Sequence, residues 1–197
     1  MTNSEVEAEV GVEAGVEVEQ DTLFRISARI EVAASAADAY AVVSDLPRCG
    51  EWSTECTGGR WVAGTPATVG AVFRGTNHRA EDVVAWAPVV RGEWTTESEV
   101  VAAEPGRAFR WAMRDSSGRR QESVWGFGIE ATGHGCVVTH HFRMGAPTEG
   151  IRGITADMDA TERRRFFSDW GAKVNADMTA TLRRLKAVIE AVIEADG

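Results

Sequence analysis

The sequence predicts an α+β fold in which a curved antiparallel sheet of six to seven strands wraps around a long C-terminal helix, with a short helix after the first strand. From residue 24 to 144, apolar and polar residues alternate in short runs separated by turn-forming residues, the period-2 signature of half-buried strands. After residue 159 the apolar spacing changes to three and four, the signature of an amphipathic helix. A sheet with one wet face must bury the other, and that helix is the only large apolar partner the chain offers.

Residues 1–21 hold seven acidic side chains and no Lys or Arg. Val and Glu alternate there, which could pass for a strand, but the like charges repel and two glycines interrupt the run. No aromatic residue anchors it, so 1–21 is predicted to be a disordered acidic tail. Residues 22–197 then make one domain, long enough for one substantial core.

Phe24, Ile26, Ala28, Ile30 and Val32 alternate with Arg25, Ser27, Arg29 and Glu31, giving the first strand. Ser35, three residues before Asp38, is an N-cap for a short helix ending near Ser44, where Pro47 and Gly50 stop it. Six runs follow: GGRWVAG (58–64), AVFRGTNH (71–78), VVRGEWTTESEVV (89–101), AFRWAM (108–113), ESVWGFGIE (122–130) and CVVTHHFRM (136–144). The first has the weakest strand pattern. Short connections between them call for an antiparallel meander. Phe167, Trp170, Val174, Met178, Leu182, Leu185, Ile189 and Val192 mark the terminal helix, with Asp159 and Glu162 as a cap and Gly171 as a bend or break. From 159 to 194 such a helix would run about 54 Å.

The net charge of −9 belongs mostly to the tail, because the remainder carries 23 acidic against 21 basic side chains. So balanced a body has no electrostatic footprint for nucleic acid or an anionic membrane. No run approaches the roughly 20 apolar residues that span a bilayer, and no basic segment followed by an apolar one suggests a signal peptide. Three cysteines without a CxxC pair read as free thiols, which makes a cytoplasmic location the expectation.

The segments DLPRCGEWSTECTGGRW (45–61), VGAVFRGTN (69–77), WTTESEVVAAEPGRAFRW (94–111) and TLRRLKA (181–187) resemble those of the START-like helix-grip (SRPBCC) superfamily, in its polyketide cyclase/dehydrase-like branch. The resemblance covers about residues 23–190. It implies a helix-grip fold and a hydrophobic small molecule as partner. The superfamily includes aromatase/cyclases, lipid carriers and hormone receptors. It brings no catalytic triad and no cofactor, and it is compatible with a homodimer. Thr54 stands where the branch usually carries Pro, near the expected cavity mouth.

Strand alternation selects the inward side chains. The inward rows are Phe73–Gly75–Asn77, Trp94–Thr96–Ser98–Val100, Phe109–Trp111–Met113, Ser123–Trp125–Phe127–Ile129 and Cys136–Val138–His140–Phe142–Met144. His140 therefore points inward, while His141 beside it points to solvent. Asn77, Trp94, Thr96, Ser98, Trp111, Ser123, Trp125, Phe142 and Met144, with Trp170 from the helix, are the candidate substrate-binding residues. An apolar pocket with few polar groups is typical of a small-molecule site. Any single one of these tryptophans reads better as core filling; their collection is what favours a ligand cavity over a closed core.

His140 is the one candidate for acid/base chemistry, with a titration near 6.5 or lower through burial. Alternatively it is a core histidine bonded to a hydroxyl such as Ser123. The function expected is a polyketide cyclase/dehydrase-type enzyme acting on a hydrophobic, oxygenated metabolite; the alternative is a non-catalytic carrier or sensor. The histidines and cysteines lack metal-ligand spacing, and no helix follows the glycine run GFGIEATGHG as a phosphate loop would require. Cys136 reads as a packed thiol, and Arg163–Arg165 as a solvated face near the cavity mouth.

Overall fold

The computed structural model describes the backbone of residues 13–16 and 22–196 and the side chains of residues 22–192. The elements are β1 (Glu13–Val16), β2 (Phe24–Val32), α1 (Ala36–Ser44), a 3-10 turn (Leu46–Glu51), β3 (Cys56–Ala63), β4 (Val72–Arg79), β5 (Gly92–Glu104), β6 (Ala108–Arg114), β7 (Arg120–Thr132), β8 (Gly135–Met144), α2 (Glu149–Thr155) and α3 (Ala160–Asp196). All strand pairs are antiparallel, in the order β1-β2-β8-β7-β6-β5-β4-β3. β3 to β8 form the meander, and β2 closes it by pairing with β8. These seven strands match the expected sheet. β1 adds a four-residue edge strand, with Val16 opposite Ile26. The other residues assigned to the acidic tail lie outside the described residues.

Local signals set the helices. Ser35 Oγ accepts the amide of Asp38 at 3.1 Å and so caps α1. At α3, Asp159 Oδ1 accepts the amides of Thr161 and Glu162 at 2.7 and 2.9 Å, and Glu162 Oε2 accepts the Asp159 amide at 3.0 Å. This reciprocal capping box satisfies donors that would otherwise be orphaned. α3 runs unbroken through Gly171, which corrects the expected bend. A Cβ there would sit 3.1 Å from Phe24 Cε1, so the glycine admits the close approach of β2.

The core lies between β2 and α3. Phe24, Ile26, Ala28, Ile30 and Val32 are all buried against Val174, Met178, Leu182, Leu185 and Ile189 in one cluster. Each large side chain so buried stabilises the fold by about 1.5–3 kcal/mol relative to exposure. The helical stripe begins at Phe166, which is fully buried, with Phe167 only partly so, and Val192 is exposed. The weakest run, 58–64, falls on β3 up to Ala63, and the strand's exposure reflects its position at the sheet edge. α2 carries too little apolar pattern to be read from the sequence. It is short, holds two glycines, and is capped by Thr148 accepting the Ile151 amide at 3.3 Å.

The sheet bends away from a flat shape. Register shifts interrupt β5–β6 after Val100 and β6–β7 after Ala112, and such bulges increase local twist. At Gly126, a Cβ would lie 2.5 Å from both the Phe109 carbonyl oxygen and Arg110 Cγ, so β6 and β7 approach there as only glycine permits.

Candidate functional site

Between the concave face of β4–β8 and the first half of α3 lies an open cleft of about 1190 Å³. All eleven candidate residues read from strand alternation and helix spacing line it, including His140 and Trp170. Arg163–Arg165 do not, which corrects their expected place at the mouth; the Arg165 guanidinium instead lies 4.4 Å over the Trp86 ring.

One wall is aromatic. Cross-strand pairing puts His140 between Ala28 on β2 and Phe127 on β7, and Phe142 opposite Trp125. His140 stacks on Phe127 at 4.4 Å and 17°, and Trp125 stacks on Phe142 at 4.0 Å. Trp52, on the segment after the 3-10 turn, meets Phe127 edge-on at 5.5 Å. Two polar atoms in this wall have no hydrogen-bond partner: His140 Nδ1, on a side chain 5% exposed, and Trp52 Nε1, on one 4% exposed. The expected bond from Ser123 to His140 does not satisfy that nitrogen. Burial, with a smaller contribution from His141, pushes the His140 pKa down to about 3, so the ring is neutral and a weak base. This places its titration well below the 6.5 of a free imidazole.

His141 lies on the opposite face, as alternation requires, but it is not freely solvated. Its ring packs over Gly128, with Nε2 3.1 Å from where a Cβ would stand, and burial and then Arg110 lower its pKa.

The other end of the cleft is ionic. Arg79 is 8% exposed, and its guanidinium lies between the Trp94 and Trp170 rings, 4.4 and 4.9 Å from their centroids. Its Nε and Nη2 donate to Glu55 at 2.7 and 3.1 Å, and its Nη1 to the Val90 carbonyl at 2.9 Å. Lys173 on α3 also pairs with Glu55, and with Asp177 at 2.6 Å. Burial pushes the Glu55 carboxyl up, but Arg79 and Lys173 outweigh it and hold the group below the usual carboxylate range. Beside this cluster Asn77 Nδ2 donates to Thr96 Oγ1 at 3.1 Å, so two of the expected polar residues satisfy each other.

Sequence reasoning missed Trp52, Glu55, Arg79 and Lys173. A signal existed for Arg79, which continues the inward row Phe73–Gly75–Asn77 by two residues once β4 is extended past His78. Lys173 and Asp177 share a helix face at i,i+4. Glu55 and Trp52 sit on a connecting segment where no period applies. Among the described residues no group of three or more His, Cys, Asp or Glu could hold a metal ion, and no helix is long and apolar enough to cross a membrane.

The sequence profile of the family described as polyketide cyclase / dehydrase and lipid transport matches residues 24–190. Among solved structures, the chain is similar to a Polyketide_cyc-like protein from Corynebacterium glutamicum, at 26% identity and a TM-score of 0.59, over 90% of this chain and 97% of that one. It is also similar in fold to the di-domain ARO/CYC StfQ from the steffimycin biosynthetic pathway, at 15% identity and a TM-score of 0.62, over 86% of this chain and 51% of that one. A third likeness, at 12% identity and a TM-score of 0.55, is to the protein Ms6760 from Mycobacterium smegmatis, over 92% of this chain and 99% of that one. No curated protein matches the sequence.

Proposed function

This chain belongs to the polyketide cyclase / dehydrase and lipid transport family, and on that premise we propose that its cleft binds a hydrophobic, partly oxygenated metabolite and acts on it as a cyclase/dehydrase-type enzyme. The observation that carries this reading is the pair of unpartnered atoms, His140 Nδ1 and Trp52 Nε1, in a wall of stacked aromatic rings. A buried polar group without a partner costs about 1–3 kcal/mol, and a ligand oxygen would relieve that cost where a pure hydrocarbon would not. The aromatic rings supply the apolar contact, and Trp52 Nε1–H can only donate, so it selects an oxygen acceptor.

Ring closure of a poly-β-ketone needs the chain held folded, with the attacking carbon next to the carbonyl it joins. The α-proton leaves and the new alkoxide takes one back. The cleft contributes chiefly the first of these, because pre-ordering the chain removes much of the entropic barrier. A ring as acidic as His140 is a poor acceptor for the α-proton, since each pKa unit between base and acid costs about 1.4 kcal/mol. His140 acts in this scheme as a hydrogen-bonding partner that fixes a ligand oxygen. The same depressed basicity favours a second reading, a carrier or sensor that binds the molecule and returns it unchanged.

Cyclisation of a linear poly-β-ketone thioester, followed by absorbance of the aromatic product, separates the two. The enzyme reading predicts wild-type turnover above the uncatalysed rate, cut up to about tenfold in His140→Phe, which loses the hydrogen bond to the ligand oxygen, with no kinetic limb near pH 6.5. Binding of the product without any acceleration of its formation would establish the carrier.

A further inference from the structure

We propose that Cys49 and Cys56 form a modification site, closing into a reversible intramolecular disulfide when the chain meets a small-molecule disulfide such as oxidised glutathione. Their sulfur atoms lie 2.6 Å apart, closer than two non-bonded sulfurs normally rest. Both residues carry free thiols in this structure, as does the distant Cys136, whose sulfur packs against the Ser35 carbonyl.

The approach is built into the backbone. Cys49 sits on the 3-10 turn and Cys56 opens β3. A side chain at Gly50 would overlap the Thr57 carbonyl. Gly58 takes a φ of +133°, and a Cβ on it would stand 3.2 Å from the Pro47 carbonyl oxygen. Two glycines thus let turn and strand lie flush on either side of the sulfur pair.

The two thiols are not equivalent. Cys56 is half-buried, and the hydrogen bond from Cys49 holds its pKa below the ordinary thiol value. Cys49 is buried, and that same contact, together with burial, pushes its pKa up. Cys56 is therefore the attacking sulfur. Its thiolate attacks one sulfur of the glutathione disulfide, forming a mixed disulfide and expelling one glutathione thiolate. Cys49, losing its proton, then attacks Cys56 Sγ and expels the second. Two protein thiols are oxidised, one glutathione disulfide is reduced to two thiols, and the electrons balance.

The bridge closes a short ring over residues 49–56, which includes both Trp52 and Glu55. It would fix the cleft wall that carries one unpartnered atom and one member of the ionic cluster. The proposal stands on the sulfur geometry and does not depend on what the cleft binds.

The test uses the purified full-length chain, reduced and then incubated with oxidised glutathione. Thiol titration should fall from three to one, and the tryptic peptide 49–60, which contains both cysteines, should lose two hydrogens in mass. Cys49→Ser should instead keep a glutathione adduct on Cys56, because the resolving sulfur is gone. The oxidised wild type should melt about 5 °C above the reduced form, and a dithiol should reverse the shift. Three titratable thiols after oxidation, a persistent adduct on the wild type, or a bridge to Cys136 would each overturn the proposal.

Discussion

At one end of the cleft four ionisable side chains, Glu55, Arg79, Lys173 and Asp177, satisfy one another; at the other, two neutral polar atoms, His140 Nδ1 and Trp52 Nε1, have no partner. By charge alone the ionic end looks more like a site. By hydrogen-bond accounting it is already occupied by itself: Arg79 spends Nε, Nη1 and Nη2 on Glu55 and the Val90 carbonyl. The aromatic end is the one with unmet demand. Desolvation is tolerable for ions only when they are paired, whereas a single neutral dipole can wait for a ligand at modest cost.

The largest effect that would sharpen this contrast comes from cutting the ionic end. Glu55→Gln removes the carboxylate shared by Arg79 and Lys173, leaving the buried Arg79 with no acidic partner and the partly buried Lys173 with Asp177 alone. Stability should fall by about 3 kcal/mol, read as a lower urea midpoint, while any molecules that remain folded keep their ligand affinity. A loss below about 0.5 kcal/mol would mean the cluster is solvated and the contrast is false.

A smaller effect, read between pH 6.5 and 5, is expected from pH at the aromatic end. The His140 pKa is about 3 in the folded chain and near 6.5 unfolded, so between those values the unfolded chain binds more protons. Stability should therefore drop as pH falls through that window, by up to about 1.4 kcal/mol per unit. Between pH 6.5 and 5 carboxylates titrate little, and the slope reports histidine. His141, also lowered by burial, adds to the slope with the same sign, so His140→Gln should flatten most of it and His141→Gln a lesser part. An unchanged slope in His140→Gln would show the ring to be hydrated.

The two ends also differ in how far the sequence discloses them. The aromatic wall lies on β7 and β8, where period-2 alternation holds without interruption and separates His140 from His141. Trp52 escaped because it sits on a segment with no repeat, although its side chain completes that wall. The ionic end draws on three unrelated places: the segment before β3, the last residue of β4, and one turn of α3. No local pattern links them, and only Arg79 continues a row that alternation defines. The fold itself was legible because caps and periods are local. Gly171 was misread because its role depends on Phe24, nearly 150 residues away in the chain, and β1 was read as tail because its four residues, EAGV, hold a glycine and lie in a run whose like charges argue against a strand.

On this reading the unpartnered atoms of the aromatic wall recognise an oxygen on a hydrophobic ligand. Tryptophan-fluorescence titration with 1-naphthol and with 1-methylnaphthalene, which match in size and differ in that oxygen, tests it most directly. The wild type should bind the naphthol about tenfold more tightly, the value of one hydrogen bond of about 1.4 kcal/mol, and Trp52→Phe should abolish the preference while still binding both. Equal affinity of the wild type for the two molecules would contradict the account.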